Sequence, residues 1–280
     1  MAGISICGVS KKFTGRNDAV QALENATLEI ADGEFVVLVG PSGCGKSTLL
    51  NIVAGLDVAD TGQVYEGNKP VKEPGRSRSV VFQDGALFPW LTAQKNVEFG
   101  LKQMGLNRKE RAERAAHYLQ LVHLTKFRES FLHELSGGMR QRVAIARALA
   151  MEPEVLLMDE PFSALDAQTR EDLYVSLQEV WERTRKTILF VTHNVREAVV
   201  LADKVVLMGI RPGRIQTVFP IRLARPRHAE DVDVAKVAHQ ISMGLKESLA
   251  LTRNEEYDEG WQPEGSGLLR PADSVLGDNI

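Results

Sequence analysis

The sequence predicts an α/β fold built on a parallel sheet, and three observations carry that expectation. Val36-Val-Leu-Val39, Val155-Leu-Leu-Met158 and Thr187-Ile-Leu-Phe-Val191 are short unbroken apolar runs, the pattern of strands covered on both faces. Stretches of helical length and periodicity alternate with them. The first run feeds directly into a glycine-rich loop, Gly40-Pro-Ser-Gly-Cys-Gly-Lys-Ser47, which opens onto a further helical segment.

The elements follow in order. Residues 27–31 and 35–39 read as strands, and 47–54 as a helix closed by Gly55. Residues 62–67 form a short strand between glycine turns, and 79–82 a strand whose end reaches Gln83. Residues 84–105 mix turn formers with exposed-looking Phe88, Pro89 and Trp90, while 107–121 read as a helix rich in Arg, Glu and Ala. Residues 84–134 are therefore expected as a helical insertion. A helix over 136–151, the strand 155–158, a helix over 167–185, the strand 187–191 running on to His193, a helix over 194–202 and a strand over 204–208 complete an α/β unit expected to span 1–225. Val234, Val237, Ile241, Leu245 and Leu249 fall at helical spacing, which predicts a helical extension over 226–250. Residues 251–280 carry seven acidic residues against two arginines and read as an acidic, weakly structured tail. Arg211, Arg214, Arg222, Arg225 and Arg227 are expected on a solvated or domain-boundary surface, with contact to a membrane protein or anionic lipid heads as the alternative.

Bulk properties narrow the function. The 280 residues hold 34 Lys and Arg against 37 Asp and Glu, so no global charge points to nucleic acid. The two cysteines, Cys7 and Cys44, suggest neither a disulfide framework nor a zinc cluster, and a reducing compartment fits them. The first residues lack the basic flank and apolar run of a signal peptide, and no stretch of about 18 apolar residues is available to span a bilayer.

The glycine loop matches the complete G-x-x-x-x-G-K-S pattern. Glycine permits the tight curvature that turns successive amides toward phosphate oxygens, and the following helix adds its unpaired amino-terminal amides. Gly40, Pro41, Ser42, Gly43, Cys44, Gly45, Lys46, Ser47 and Thr48 are the candidate nucleotide-binding residues, with the Cys44 side chain expected to face outward. Lys46 supplies charge for the β- and γ-phosphates, and Ser47 a hydroxyl for Mg²⁺. Asp159, ending the apolar run 155–158, is a candidate for the Mg²⁺ shell, and Glu160 for accepting the proton of an attacking water or orienting it. Ser136 followed by Gly137 and Gly138 can open a helix with free amides and a hydroxyl, an end that attracts an anionic oxygen.

Taken together, these motifs resemble the ATPase subunits of ATP-binding-cassette transporters over roughly residues 1–225. Leu135-Ser-Gly-Gly-Met139, followed by Arg140-Gln-Arg-Val-Ala, is similar to the family signature, with Met139 where the commonest form has glutamine. The resemblance implies a phosphate-loop core of cassette type, an antiparallel β edge subdomain and an inserted α-helical subdomain. It also implies roles for further residues: Phe13 stacking on adenine, Gln83 sensing Mg²⁺ and the attacking water, Asp166 of Ser163-Ala-Leu-Asp166 at a dimer interface, and His193 contacting the γ-phosphate. In this family each ATP is held between the phosphate loop of one copy and the signature of another. ATP and Mg²⁺ are the implied cofactors.

Val81-Phe-Gln-Asp-Gly-Ala-Leu-Phe-Pro-Trp90 gives a finer resemblance, to ATPases of importers for nitrate, alkylsulfonates or taurine, with bicarbonate relatives. That implies energising uptake of a small anionic solute from the cytoplasmic face of a bacterial inner membrane. The implied partners are a second copy or a related ATPase, two integral membrane permease subunits, and a periplasmic or lipid-anchored solute-binding protein, with no nucleic acid. The alternatives are the ATPase of an exporter, or a non-transport cassette protein acting on nucleic acid or ribosomes. A non-transport protein would call for a long coiled-coil insertion or a second cassette, and neither is visible.

Overall fold

In the computed structural model, residues 3–14, 19–210 and 212–256 are described, with side chains to residue 246. β1 (Ile4–Thr14) and β2 (Ala19–Ile30) run antiparallel in an edge sheet, and β3 (Phe35–Val39) leaves it for a central one. After α1 (Lys46–Ala54), the strands β4 (Thr61–Glu66) and β5 (Lys69–Pro70) complete the edge sheet in the order β2-β1-β4-β5, antiparallel throughout. β6 (Arg78–Val81) enters the central sheet. Then α2 (Ala93–Gln103) and α3 (Arg108–Leu121) pack on α4 (Gly137–Ala150) as a helical insertion. β7 (Val155–Asp159), α5 (Ala167–Thr184), β8 (Thr187–Thr192), α6 (Val195–Leu201), β9 (Lys204–Met208), β10 (Ile215–Pro220) and α7 (Val232–Glu256) follow. The central order is β10-β9-β3-β8-β7-β6, parallel except for β10 at its edge.

Alternation along β3 divides the interior. Phe35, Val37 and Val39 point into a core shared with α4, α5 and α6, where the Phe35, Phe162 and Phe190 rings pack at tilted angles. Val36 and Leu38 point the other way, onto Leu49, Leu50 and Val53 of α1 and onto Ile4 and Ile6 of the edge sheet. Burying one such side chain contributes about 1.5–3 kcal/mol, so both faces must be covered for the sheet to persist. Because β6, β7, β8 and β3 are parallel, the segments that follow them emerge at one end of the sheet.

Several elements differ from the sequence expectation. β2 starts at Ala19 rather than at 27, and β1 has no counterpart among the expected strands. Register shifts between the two, with positive φ at Gly8 and Asn25, break the period-two pattern that would have marked them. The turn-rich reading of 84–105 hides α2, which Thr92 caps by accepting a hydrogen bond from the Lys95 amide. β10 lies within the arginine-rich stretch and is half-exposed, as an edge strand can be.

Two of those arginines are not solvated. Arg227 is 2 % exposed; its guanidinium donates to the carbonyls of Leu223, Val199 and Ala202, capping the end of α6. The Arg227 backbone exchanges two hydrogen bonds with the Gln178 side chain. Arg225 pairs with Asp203 and lies over the Trp181 ring. Carbonyl acceptors around a buried cation leave no sequence pattern, so spacing alone cannot reveal them. α7 runs beyond the expected limit of 250, and residues 257–280 of the expected tail lie outside the described residues. Among the described residues, no helix is long and apolar enough to cross a membrane.

Candidate nucleotide site

The loop from Gly40 to Ser47 is a backbone structure that side chains would spoil. Gly43 and Gly45 have φ of +79° and +88°, in the left-handed region. A Cβ on Gly45 would lie 2.6 Å from the Ala22 carbonyl oxygen, and one on Gly40 would lie 2.7 Å from that of Met208. Gly45 caps α1 without any side-chain hydrogen bond, so no capping side chain competes for the first amides of that helix. Lys46 is buried, and its Nζ donates to the carbonyls of Gly40 (2.8 Å) and Pro41 (2.9 Å), bracing the loop from within. Cys44 corrects the sequence expectation. It is 1 % exposed and turns inward beside Gly40, into the core shared by β3 and α1. Burial pushes its thiol up, with Lys46 opposing.

Ser47 Oγ donates to Asp159 Oδ1 at 2.9 Å, so the loop and the end of β7 meet through the two residues expected around Mg²⁺. Burial pushes the Asp159 carboxyl up, the Ser47 hydrogen bond opposes that, and the neighbouring Glu160 charge adds to it. A hydroxyl, a desolvated carboxylate and a nearby lysine suit a hard dication held together with phosphate oxygens.

Glu160 has φ of +42°, unusual for a non-glycine residue. Its amide donates to Val191 O on β8, and its carbonyl accepts from Ser163 N and from Ser163 Oγ. Glu160 Oε2 stands 3.0 Å from His193 Nδ1. A cleft of about 340 Å³ is lined by Phe13, Ala22, Ser42, Lys46, Ser47 and Glu160, among others. Phe13 reaches it from β1, half-exposed, with Lys11 Nζ 5.3 Å from its ring centre. Gln83 follows β6 at the same end of the sheet and is exposed, outside the cleft lining.

The remaining candidates gather elsewhere. Ser136 caps α4, its Oγ accepting from the Met139 amide at 3.3 Å. Asp166 caps α5 by accepting from the Thr169 amide at 2.9 Å, and hydrogen bonds from Thr169 draw its carboxyl down. The two caps are neighbours: a Cβ on Gly138 would lie 2.1 Å from Thr169 Cγ2, and one on Gly137 would lie 3.2 Å from Leu165. None of Ser136, Gly137, Gly138 and Asp166 lines the phosphate cleft. The candidates therefore fall into two groups: those lining the cleft beside the glycine loop, and a neighbouring pair of helix starts that do not line it.

Residues 23–163 match the family described as ABC transporter. The chain belongs to this family. It is an ATP-binding ABC ATPase. Nitrate import ATP-binding protein NrtD of Synechocystis is 49% identical over 220 residues, 79% of this chain and 83% of that protein. Taurine import ATP-binding protein TauB of Pseudomonas aeruginosa is 45% identical over 250 residues, 89% of this chain and 95% of that protein. The dimeric structure of a post-hydrolysis state of the ATP-binding cassette MJ0796, bound to ADP and Pi, superposes with a TM-score of 0.69 at 34% identity, covering 79% of this chain and 100% of that one. These likenesses agree with the cassette fold described above.

Sequence reasoning missed Arg147 and Glu197. Arg147 donates to the carbonyls of Gly85 and Ala86, fixing the turn after Gln83. Glu197 is buried four residues after His193. The only sequence signal was a carboxylate one helical turn beyond a candidate histidine, on the apolar side of α6.

Proposed function

We propose that this ATPase energises import of a small anionic solute, of the nitrate, sulfonate or taurine kind, working as one of a pair of cassettes on membrane permease subunits. The observation that carries the two-copy reading is the separation of the phosphate cleft from the Ser136–Asp166 surface. Each half is built for an anion, and neither encloses one alone. The printed names of the nitrate and taurine import relatives support the importer reading.

Phe13 takes the adenine face. The amides from Gly40 to Thr48, including those contributed by Pro41–Gly45 where an N–H exists, wrap the phosphates. Lys46 turns its charge from the loop carbonyls to the β- and γ-phosphate oxygens. Ser47, Asp159 and Gln83 would hold Mg²⁺, which would neutralise charge on the phosphate oxygens. Glu160 orients the attacking water and accepts its proton as the water oxygen bonds to the γ-phosphorus and the bond to the bridging oxygen of ADP breaks. His193, in contact with Glu160, carries a hydrogen bond to the γ-phosphate. Ser136, Gly137 and Gly138 of the second copy close over that phosphate, and Asp166 crosses the same boundary. ATP favours the closed pair because it bridges both copies, and its hydrolysis removes the bridge.

On the helical insertion, Phe88 packs on Phe99 with ring centres 4.3 Å apart, while Trp90 is 70 % exposed. Trp90 is thus the side chain offered to a permease at the cytoplasmic face, with a periplasmic or lipid-anchored binding protein delivering solute from the other side.

The two-copy site is tested by mixing. Lys46→Ala and Ser136→Arg chains each spoil both sites of their own pair. A mixed pair regains one intact site, so an equimolar mixture recovers up to about a quarter of native ATPase if sites act independently. A mixture that forms mixed pairs yet stays as inactive as its parents would sink the shared site.

A further inference from the structure

Behind the contact between Glu160 and His193 lies a cavity of about 30 Å³, lined by Glu160, Ser163, Arg170, Thr192, His193 and Glu197, among others. That is room for a water molecule. Glu197 is 4 % exposed, and its Oε1 has no hydrogen-bond partner within the protein. Arg170 Nε, a donor, is likewise buried and without a partner. A buried acceptor and a buried donor on one cavity are costly unless bridged, at about 1–3 kcal/mol each.

We propose that Glu197 is a positioning residue for ATP hydrolysis: through this cavity it holds the turn carrying His193, and with it the contact to Glu160, and its ionised form gives the faster turnover. The proposal rests on the hydrolytic roles given above to Glu160 and His193.

The connections are short. Asn194, next to His193, caps α6 by accepting from Arg196 N and from Glu197 N, so the Glu197 backbone belongs to the same turn. Asn194 N donates to Thr192 Oγ1, and Thr192 and Glu197 line the cavity together. On the other side the cavity meets Ser163, whose hydroxyl donates to the Glu160 carbonyl, and Arg170, which donates to Leu165 O beside Asp166. Glu197 therefore sits where the Glu160 strand end, the His193 turn and the start of α5 converge.

The groups facing it set its charge. Arg170 and Tyr174 approach from α5, His193 and Thr192 from the end of β8, and Glu160 from the end of β7. α7 meets α6 through buried Val234, Ala238 and Ile241, and its His239 shares a cleft with His193, Asn194 and Arg196. Burial pushes the Glu197 carboxyl up to about 7, with Thr192, Tyr174, Arg170 and His193 opposing. An ionised carboxyl attracts the Arg170 guanidinium across the cavity, drawing the start of α5 toward the turn that carries His193. The neutral form loosens that grip.

The test compares kcat and KM for ATP at about pH 6 and about pH 8, either side of the Glu197 value, in full-length native chain, Glu197→Gln and Glu197→Asp, with melting curves to establish folding. Glu197→Gln is expected to lose about threefold or more in kcat at the higher pH, with KM within about twofold, and to resemble native chain at the lower pH. Glu197→Asp, which keeps the charge, is expected to recover part of the loss. A Glu197→Gln kcat within threefold of native at both pH values overturns the assignment. So does an equal loss in Glu197→Gln and Glu197→Asp, which marks packing alone. Glu160→Gln, measured alongside, separates the two readings. If it still turns over, the role of Glu160 fails. If it is inert while Glu197→Gln behaves as native, only the assignment of Glu197 fails.

Discussion

Replacing Gly45 by alanine combines two penalties that the structure separates. At φ +88° an alanine pays a left-handed cost of about 1–2 kcal/mol. The smaller entropy of its unfolded chain offsets about 0.4–1 kcal/mol of that. The added methyl would also stand 2.6 Å from the Ala22 carbonyl oxygen and from Leu23 Cδ2, and the oxygen belongs to backbone that cannot swing aside. Such overpacking adds about 1–3 kcal/mol. The net loss is then about 1–4.6 kcal/mol, or about 2–18 °C in Tm for a chain of this size. The displaced loop carries Lys46 and the phosphate amides, so the Kd for ATP should rise at least about tenfold, equivalent to about 1.4 kcal/mol. Gly67→Ala is the control. Gly67 has φ +56° in the β4–β5 turn, and a Cβ there meets nothing within 4 Å. It should lose only about 0–1.6 kcal/mol and bind ATP as the native chain does. Thermal melting and equilibrium titration with ATP decide the matter. The reasoning is refuted if Gly45→Ala melts like Gly67→Ala and keeps native affinity.

Lys46→Ala should raise the Kd for ATP by at least about tenfold, since it removes the phosphate charge and the brace on Gly40 and Pro41 together, and equilibrium titration reads this directly. Glu160→Gln should bind ATP within about threefold of native, lose at least about a hundredfold in kcat, and accumulate as an ATP-bound pair on size-exclusion chromatography. Arg227→Met leaves the carbonyls of Leu223, Val199 and Ala202 without their donor. A loss of about 3–5 kcal/mol follows, visible in denaturant midpoints. Trp90→Ala should move stability by less than about 0.5 kcal/mol and leave basal ATPase intact. It should abolish stimulation by solute in reconstituted membranes, and unchanged stimulation would remove Trp90 from the permease contact.

Much of this architecture was legible because its parts repeat physical patterns. The buried strands β3, β7 and β8 are nearly continuous apolar runs, and the phosphate loop joins one of them to a helix in the only order that lets its amides converge. Asp159 and Glu160 were readable for the same reason, standing where such a run stops. What escaped notice depends on partners distant in sequence. β1 and β2 are recognisable only as a bulged pair, and α2 only once Asn96, with its hydrogen bonds to Phe88, Leu91 and Thr92, is seen to organise the turn before it. Cys44 was expected to face out because loops are usually exposed, yet Gly40 leaves a space that its sulfur fills. Arg227 and Glu197 look like surface charges on paper, and only three-dimensional packing turns them into a helix cap and a buried acid.

The seven residues of α6 make a strut about 10 Å long at 1.5 Å per residue. One end is moored by Asn194 beside His193 and the other by Arg227, just ahead of the long terminal helix. Neither mooring has slack: the first is a capped turn, the second a cation enclosed by carbonyls. α7 packs on α6, so the long helix and the turn that carries His193 are joined through one short, doubly anchored segment. The two ends of that segment thus tie a buried arginine on one side of the core to an exposed histidine on the other.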